Sequence, residues 1–114
     1  MLVAGGSAID AAIAAQMVLT LVEPQSSGIG GGAFLLYHDG RETAAFDGRE
    51  TAPAAAGETL FMRPDGKPMD FHDALVGGRA VGVPGTVLML EIAHARYGRL
   101  PWASLFEPAI RLAD

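Results

Sequence analysis

Apolar residues near the start of the chain recur at helical spacing. Ile9, Ile13 and Met17 lie four apart on one file, and Val18, Leu19 and Val22 lie on another. Ala8, Ala11, Ala12, Ala14 and Ala15 fill the turns between them. This predicts a helix from about Ala8 to Val22, ending before Pro24. Ser7 suits its N-cap, and Asp10 sits at the third helical position, where a carboxylate complements the helix dipole. A helix apolar on nearly every side is expected to be buried on several of them, and its alanines permit close approach to a sheet.

At Ala33 the pattern changes from a period of about four to a period of two. Phe34 and Leu36 share one face of a strand, and Leu35 and Tyr37 share the other. With both faces apolar, the strand is expected to be covered on both sides. A return strand from Thr43 to Asp47 brings Phe46 against it. The intervening His38-Asp39-Gly40-Arg41 contains Asp-Gly, a favoured two-residue hairpin turn.

The later chain alternates turns and helical runs. Ala54 to Met62 reads as a short helical piece, Pro64-Asp65-Gly66 as a turn, and Phe71 to Val76 as a short helix closed by Gly77-Gly78. An extended piece from Val81 leads into a helix over Thr86 to Arg96, with Pro84 placed to open it. Val87, Leu88, Leu90 and Ile92 are expected in the core, and Gly98 as a left-handed C-cap. Pro101 restarts a helix that Leu105, Phe106, Ile110 and Leu112 pack down, and Pro108 forces a break or second start. The fold class is therefore α+β: a helix, a β-hairpin, then mostly helix. No repeat or low-complexity tract appears.

Composition narrows the functional classes. A chain of 114 residues is one domain at most, or part of one. Half of it is apolar and 18% is charged, rich for so short a chain. This favours a piece whose apolar faces meet further structure over a free-standing domain, which has much surface to cover. The net charge of −5, without a basic run, excludes a nucleic-acid role. The absence of cysteine excludes disulfides, thiolate metal sites and cysteine nucleophiles. The stretch from Ala8 to Val22 is too short and too interrupted for a membrane span, and no basic flank of a signal peptide precedes it.

Few residues offer chemistry. The loop Ser26 to Gly32 (SSGIGGG) lets backbone approach something closely. It is no phosphate cradle, because it leads into a strand and lacks a following Lys-Ser/Thr. Ser26 and Ser27 lack a nucleophile elbow, and His38, His72 and His94 form no evident triad. His72 and Asp73 are adjacent and cannot converge as metal ligands from one helix face. Arg49 stands out. It follows Gly48 at a strand end in a charge-poor region, and a guanidinium there suits a carboxylate. The ordinary alternative is a solvated arginine paired with Glu50.

The order of motifs resembles the γ-glutamyltransferases (γ-glutamyltranspeptidases, or glutathione hydrolases). The motifs are AGGSAIDAAIAA at 4–15, VEPQSSGIGGGAFLLY at 22–37, GRETAP at 48–53, VGVPGT at 81–86 and AHARYGRLPWASLFEPAIRLA at 93–113. The resemblance implies part of an N-terminal-nucleophile hydrolase αββα sandwich, residues 1–114 falling in the large subunit. It also implies a precursor that cleaves itself and a small subunit whose new N-terminal threonine is the nucleophile. That threonine takes the γ-glutamyl group and passes it to water or to an amino acid or peptide. The resemblance maps the grip on the substrate α-carboxylate onto Arg49, with Glu50 as an orienting or structural neighbour, and implies no cofactor or metal. The glycine loop then becomes a packing element.

The implied partners are a γ-glutamyl substrate, the rest of the large subunit and the small subunit. No catalytic residue falls in this chain: Thr20, Thr43, Thr51, Thr59 and Thr86 are internal and match no cleavage motif. The piece alone is expected to be inactive and to self-associate through exposed apolar surface. Relatives are often periplasmic, secreted or on the cell surface. The competing readings are a related acylase of the same fold, acting on cephalosporin side chains or poly-γ-glutamate, and a non-catalytic small-ligand or oligomerisation module.

Overall fold

The computed structural model describes residues 1–114. Its helices are α1 (Ala8–Val22), α2 (Phe71–Leu75), α3 (Thr86–Tyr97) and α4 (Glu107–Ala113), and its strands are β1 (Ala33–His38) and β2 (Thr43–Gly48). Short 3₁₀ turns precede α1, α3 and α4. No helix is long and apolar enough to cross a membrane.

Helix α1 begins as its sequence requires. The Ser7 hydroxyl accepts the Asp10 amide at 3.2 Å, and the Asp10 carboxylate accepts the Ser7 amide at 2.7 Å, a reciprocal capping box. Ile9, Ile13 and Met17 are buried, as their spacing predicts. The second apolar file is less so: Val18 is half-buried, and Leu19 and Val22 are exposed. Within this chain α1 is met by α3, α4, the turn at Trp102–Leu105 and the N-terminal turn at Leu2–Ala4, which leave its C-terminal end open.

Strands β1 and β2 pair antiparallel, with Leu35 opposite Phe46 and Tyr37 opposite Ala44. The ladder closes at His38–Thr43, and the Asp39 amide donates to Glu42 O at 3.2 Å. The tight turn thus centres on Gly40-Arg41, one residue beyond Asp-Gly. Gly40 carries the positive φ of 97° that the first central position of such a turn demands. Asp39 instead braces the turn: its carboxylate accepts the amides of Arg41 and Glu42, which hold its carboxyl below the ordinary carboxylate range. One sheet face packs on α3, where Tyr97 lies 4.2 Å from the Tyr37 ring centroid and meets Phe46 edge-on. The other face, with Phe34 and Leu36, is exposed in this chain rather than covered.

Helix α3 buries Leu90 as its sequence suggests but otherwise turns a different stripe inward. Thr86, Met89, Leu90 and Ala93 are buried, while Val87, Leu88 and Ile92 are exposed. Apolar residues occur on two sides of this helix, so periodicity cannot choose between them. The choice is made by Gly48, which has Met89 against the space a Cβ would fill. Pro84 lies just ahead of the helix, whose N-cap is Gly85. Gly98 ends it with φ −70°, ψ 156°, not left-handed. Glycine is required there because the His94 imidazole fills the Cβ position.

The region 54–62 is not helical. It forms separate turns closed by Ala56→Pro53, Leu60→Gly57 and Met62→Thr59 amide-to-carbonyl bonds. The turn at Pro64-Asp65-Gly66 and the helix at Phe71 form as expected, Gly66 and Gly77 taking positive φ. Pro108 provides the second helix start, in the first turn of α4. Leu105 is fully buried, but Ile110 and Leu112 are exposed.

The core comprises Ile9, Ile13, Met17, Met89, Leu90, Ala93 and Leu105. It is small for the chain: 12 of 114 residues are buried. The radius of gyration is 18.0 Å, against about 13 Å for a self-contained domain of this length. The accessible surface is 7896 Å², against about 5,900 Å² by the usual mass scaling. Nineteen large apolar side chains are exposed, among them Phe34, Leu36 and Ile92.

Candidate functional site

The segment Gly48-Arg49-Glu50-Thr51 leaves β2 and is enclosed by glycines from two distant stretches of the chain. A Cβ on Gly32 would lie 2.7 Å from Arg49 Cα and 2.8 Å from the Glu50 amide nitrogen. One on Gly82 would lie 2.9 Å from Glu50 Cβ, and one on Gly85 would meet the carbonyls of Gly48 and Arg49. None of these glycines has positive φ, so they are needed for space alone. Hydrogen bonds lock the enclosure. Gly31 O accepts the amides of Gly85 and Thr86 at 3.1 and 3.2 Å, and the buried Thr86 hydroxyl at 2.9 Å. Thr51 and Val83 exchange amide-to-carbonyl bonds of 3.2 and 2.8 Å.

The backbone of Arg49 is fixed further by its amide, which donates to Asp47 Oδ1 at 2.9 Å. Its side chain reaches outward, half-exposed, and its Nη2 pairs with Glu50 Oε2 at 3.2 Å. The pairing expected of an ordinary surface arginine is therefore present, but it engages only part of a guanidinium with five donors. No side-chain hydrogen bond of Arg49 to another residue of the chain competes for the rest. Glu50 is seated between Gly31, Gly32 and Gly82. Both residues face an open cleft of about 360 Å³, walled by Thr51 to Pro53, by Leu60 and Phe61, and by Arg79 to Gly82. A guanidinium on a rigid backbone at the edge of an open cleft can hold a carboxylate.

The glycine loop, expected from the motif order to be a packing element, does pack, and its neighbour is Arg49-Glu50 itself. Gly31 and Gly32 make the close approach, while Gly28 and Gly30 meet nothing within 4 Å. Arg79 is a residue that sequence reasoning misses. Nothing in Gly-Gly-Arg-Ala distinguishes it until the Thr51–Val83 bridge brings it to the cleft.

Other polar groups are engaged elsewhere. His38 bonds the Thr43 hydroxyl at 3.0 Å. His94 Nε2 donates to Leu100 O at 2.9 Å and lies 3.5 Å from Asp10. No cluster of three or more His, Asp or Glu side chains could hold a metal ion. Asp10 is wholly buried. Burial opposes its ionisation, but the amides of Ser7, Arg99 and Leu100 and the Ser7 hydroxyl together outweigh this and hold its carboxyl below the ordinary range.

Comparison with known proteins fits this geometry. The gamma-glutamyltranspeptidase family model matches residues 1–114. The glutathione hydrolase proenzyme of Bacillus subtilis is 45% identical over 112 residues, which are 96% of this chain and 19% of that protein. The chain thus spans about a fifth of the length of such a relative. Its fold superposes with a TM-score of 0.89 on the gamma-glutamyltranspeptidase of Helicobacter pylori, at 39% identity, covering 99% of this chain and 32% of that one. On the Pseudomonas nitroreducens enzyme complexed with L-DON the TM-score is 0.88, at 41% identity, covering 96% and 32%. These are α+β structures of the fold class the motif order implies. Matched along its whole length in sequence and superposable in fold, the chain belongs to the gamma-glutamyltranspeptidase family.

Proposed function

We propose that this segment is part of the large subunit of an enzyme that cleaves γ-glutamyl amides such as glutathione and transfers the γ-glutamyl group to water or to an amino acid or peptide. Its own contribution is to bind and orient the donor. Arg49 holds the α-carboxylate, and Glu50 fixes the guanidinium that does so. The threonine that attacks the γ-carbonyl, becomes acylated and is released by the acceptor belongs to the small subunit of such an enzyme, and the segment alone is inactive.

The observation that carries this reading is the seating of Arg49. Its backbone is pinned by Gly32, Gly85 and Asp47 while its head faces open cleft. A solvated surface arginine needs no such support. The test is Arg49→Ala in the full-length proenzyme. A charge-assisted bidentate contact contributes about 1.5–3 kcal/mol, so KM for γ-glutamyl donors should rise about tenfold or more while self-cleavage continues. Unchanged kinetics would remove Arg49 from the site.

A further inference from the structure

The same cleft holds a second arginine, on the wall facing the Arg49 segment. Arg79 Nη1 donates to Leu60 O at 3.2 Å and lies 3.1 Å from Met69 Sδ. It joins none of the five ion pairs of the chain. One side of its head is therefore docked on a neutral carbonyl and a thioether, and its charge is left without a counter-ion. Docking of this kind lowers the rotamer entropy lost when a ligand binds, and it holds the guanidinium at the cleft wall.

Charge matching then narrows the ligand. The charged residues lining the cleft are Arg49, Glu50 and Arg79, a local balance of +1 within a chain of net charge −5. A γ-glutamyl head group is a zwitterion, with one α-ammonium and one α-carboxylate, and brings no net charge. A donor whose leaving amine carries its own carboxylate brings −1. We propose that Arg79 is a specificity residue that reads this second carboxylate, so that the cleft prefers γ-glutamyl peptides with a free C-terminus over γ-glutamyl amides whose leaving group is neutral. The inference rests on the assignment of the α-carboxylate to Arg49.

The test uses the full-length, self-cleaved enzyme and three donors: a γ-glutamyl dipeptide with a free carboxylate, the same dipeptide as its C-terminal amide, and a γ-glutamyl anilide. Arg79 is exposed to water, so the contact is screened and its effect moderate. Arg79→Ala should raise KM for the free-carboxylate donor about three- to fivefold and change the two neutral donors less than about twofold. Arg79→Lys, which keeps the charge, should recover most of the loss, and the loss should shrink as salt is raised. An equal rise for all three donors, or no change for any, would overturn the proposal. Arg49→Ala in the same assays separates the two assignments. It should raise KM for all three donors alike, and if it changes none, the α-carboxylate assignment fails, whatever Arg79 does.

Discussion

The carboxylate of Asp10 accepts the amide of Leu100 at 3.2 Å, tying the first turn of α1 to the loop after α3 across 90 residues of sequence. The same side chain accepts the amides of Ser7 and Arg99, and His94 stands 3.5 Å away. The N3 carboxylate of a capping box is ordinarily a surface device. Here it is fully buried and joins two ends of the segment.

Asp10 should therefore make stability depend on acid. Its folded-state value lies below the ordinary 3.8, so the unfolded chain takes up the proton first as pH falls. The stabilisation is complete above about pH 4 and is lost as pH drops through the lower folded value. Asp10→Ala leaves the amides of Ser7, Arg99 and Leu100 without their acceptor, the first buried and the others partly so, and should cost about 1–3 kcal/mol. Amide hydrogen exchange is the local readout: protection at Arg99 and Leu100 should fall in the variant at neutral pH, and in the parent only on acidification. Equal protection in parent and variant would mean that these amides find other partners.

Glycines of one loop should differ sharply in tolerance. Gly32→Ala places a methyl 2.7 Å from Arg49 Cα and 2.8 Å from the Glu50 nitrogen, and backbone atoms cannot step aside as a flexible side chain does. Overpacking of this kind costs about 1–3 kcal/mol. Any protein that folds should hold Arg49 displaced, with a raised KM for γ-glutamyl donors. Gly28→Ala and Gly30→Ala meet nothing within 4 Å and need no positive φ, so their melting temperatures and kinetics should match the parent. If all three behave alike, the close packing of loop on Arg49-Glu50 does not set the site.

Local signals carry much of the fold, and the failures share a cause. The capping box at Ser7, the hairpin with Leu35 opposite Phe46, the turn at Gly66 and the restart at Pro108 depend on near neighbours and are legible. What depends on distant packing is not. Gly98 reads as a left-handed cap until the His94 ring is seen to occupy its Cβ space. Asp10 reads as a cap alone until residues 99 and 100 arrive. The inward stripe of α3 is ambiguous until Gly48 admits Met89. At the site, Arg49 is visible as a guanidinium beside glycine at a strand end. That Gly32, Gly82 and Gly85 hold its segment, and that Arg79 shares its cleft, requires the tertiary structure.

The outer face of the hairpin yields the last prediction. Phe34 is 70% exposed and Leu36 is 75% exposed, side by side on a strand otherwise rich in apolar residues. A sheet face of this kind, left to water, invites association, and the αββα architecture of the family calls for a second layer on it. Leu36→Asp distinguishes a covered face from a solvated one, because a buried, unpaired carboxylate costs several kcal/mol and a solvated one costs almost nothing. In the full-length proenzyme the substitution should abolish soluble, self-cleaving protein. In the 114-residue segment alone it should do the reverse, lowering light scattering and the binding of dyes that report exposed apolar surface. If the proenzyme tolerates Leu36→Asp without loss of yield or melting temperature, the face is open to solvent in the whole protein, and the excess apolar surface of the segment is not explained by packing against the second layer.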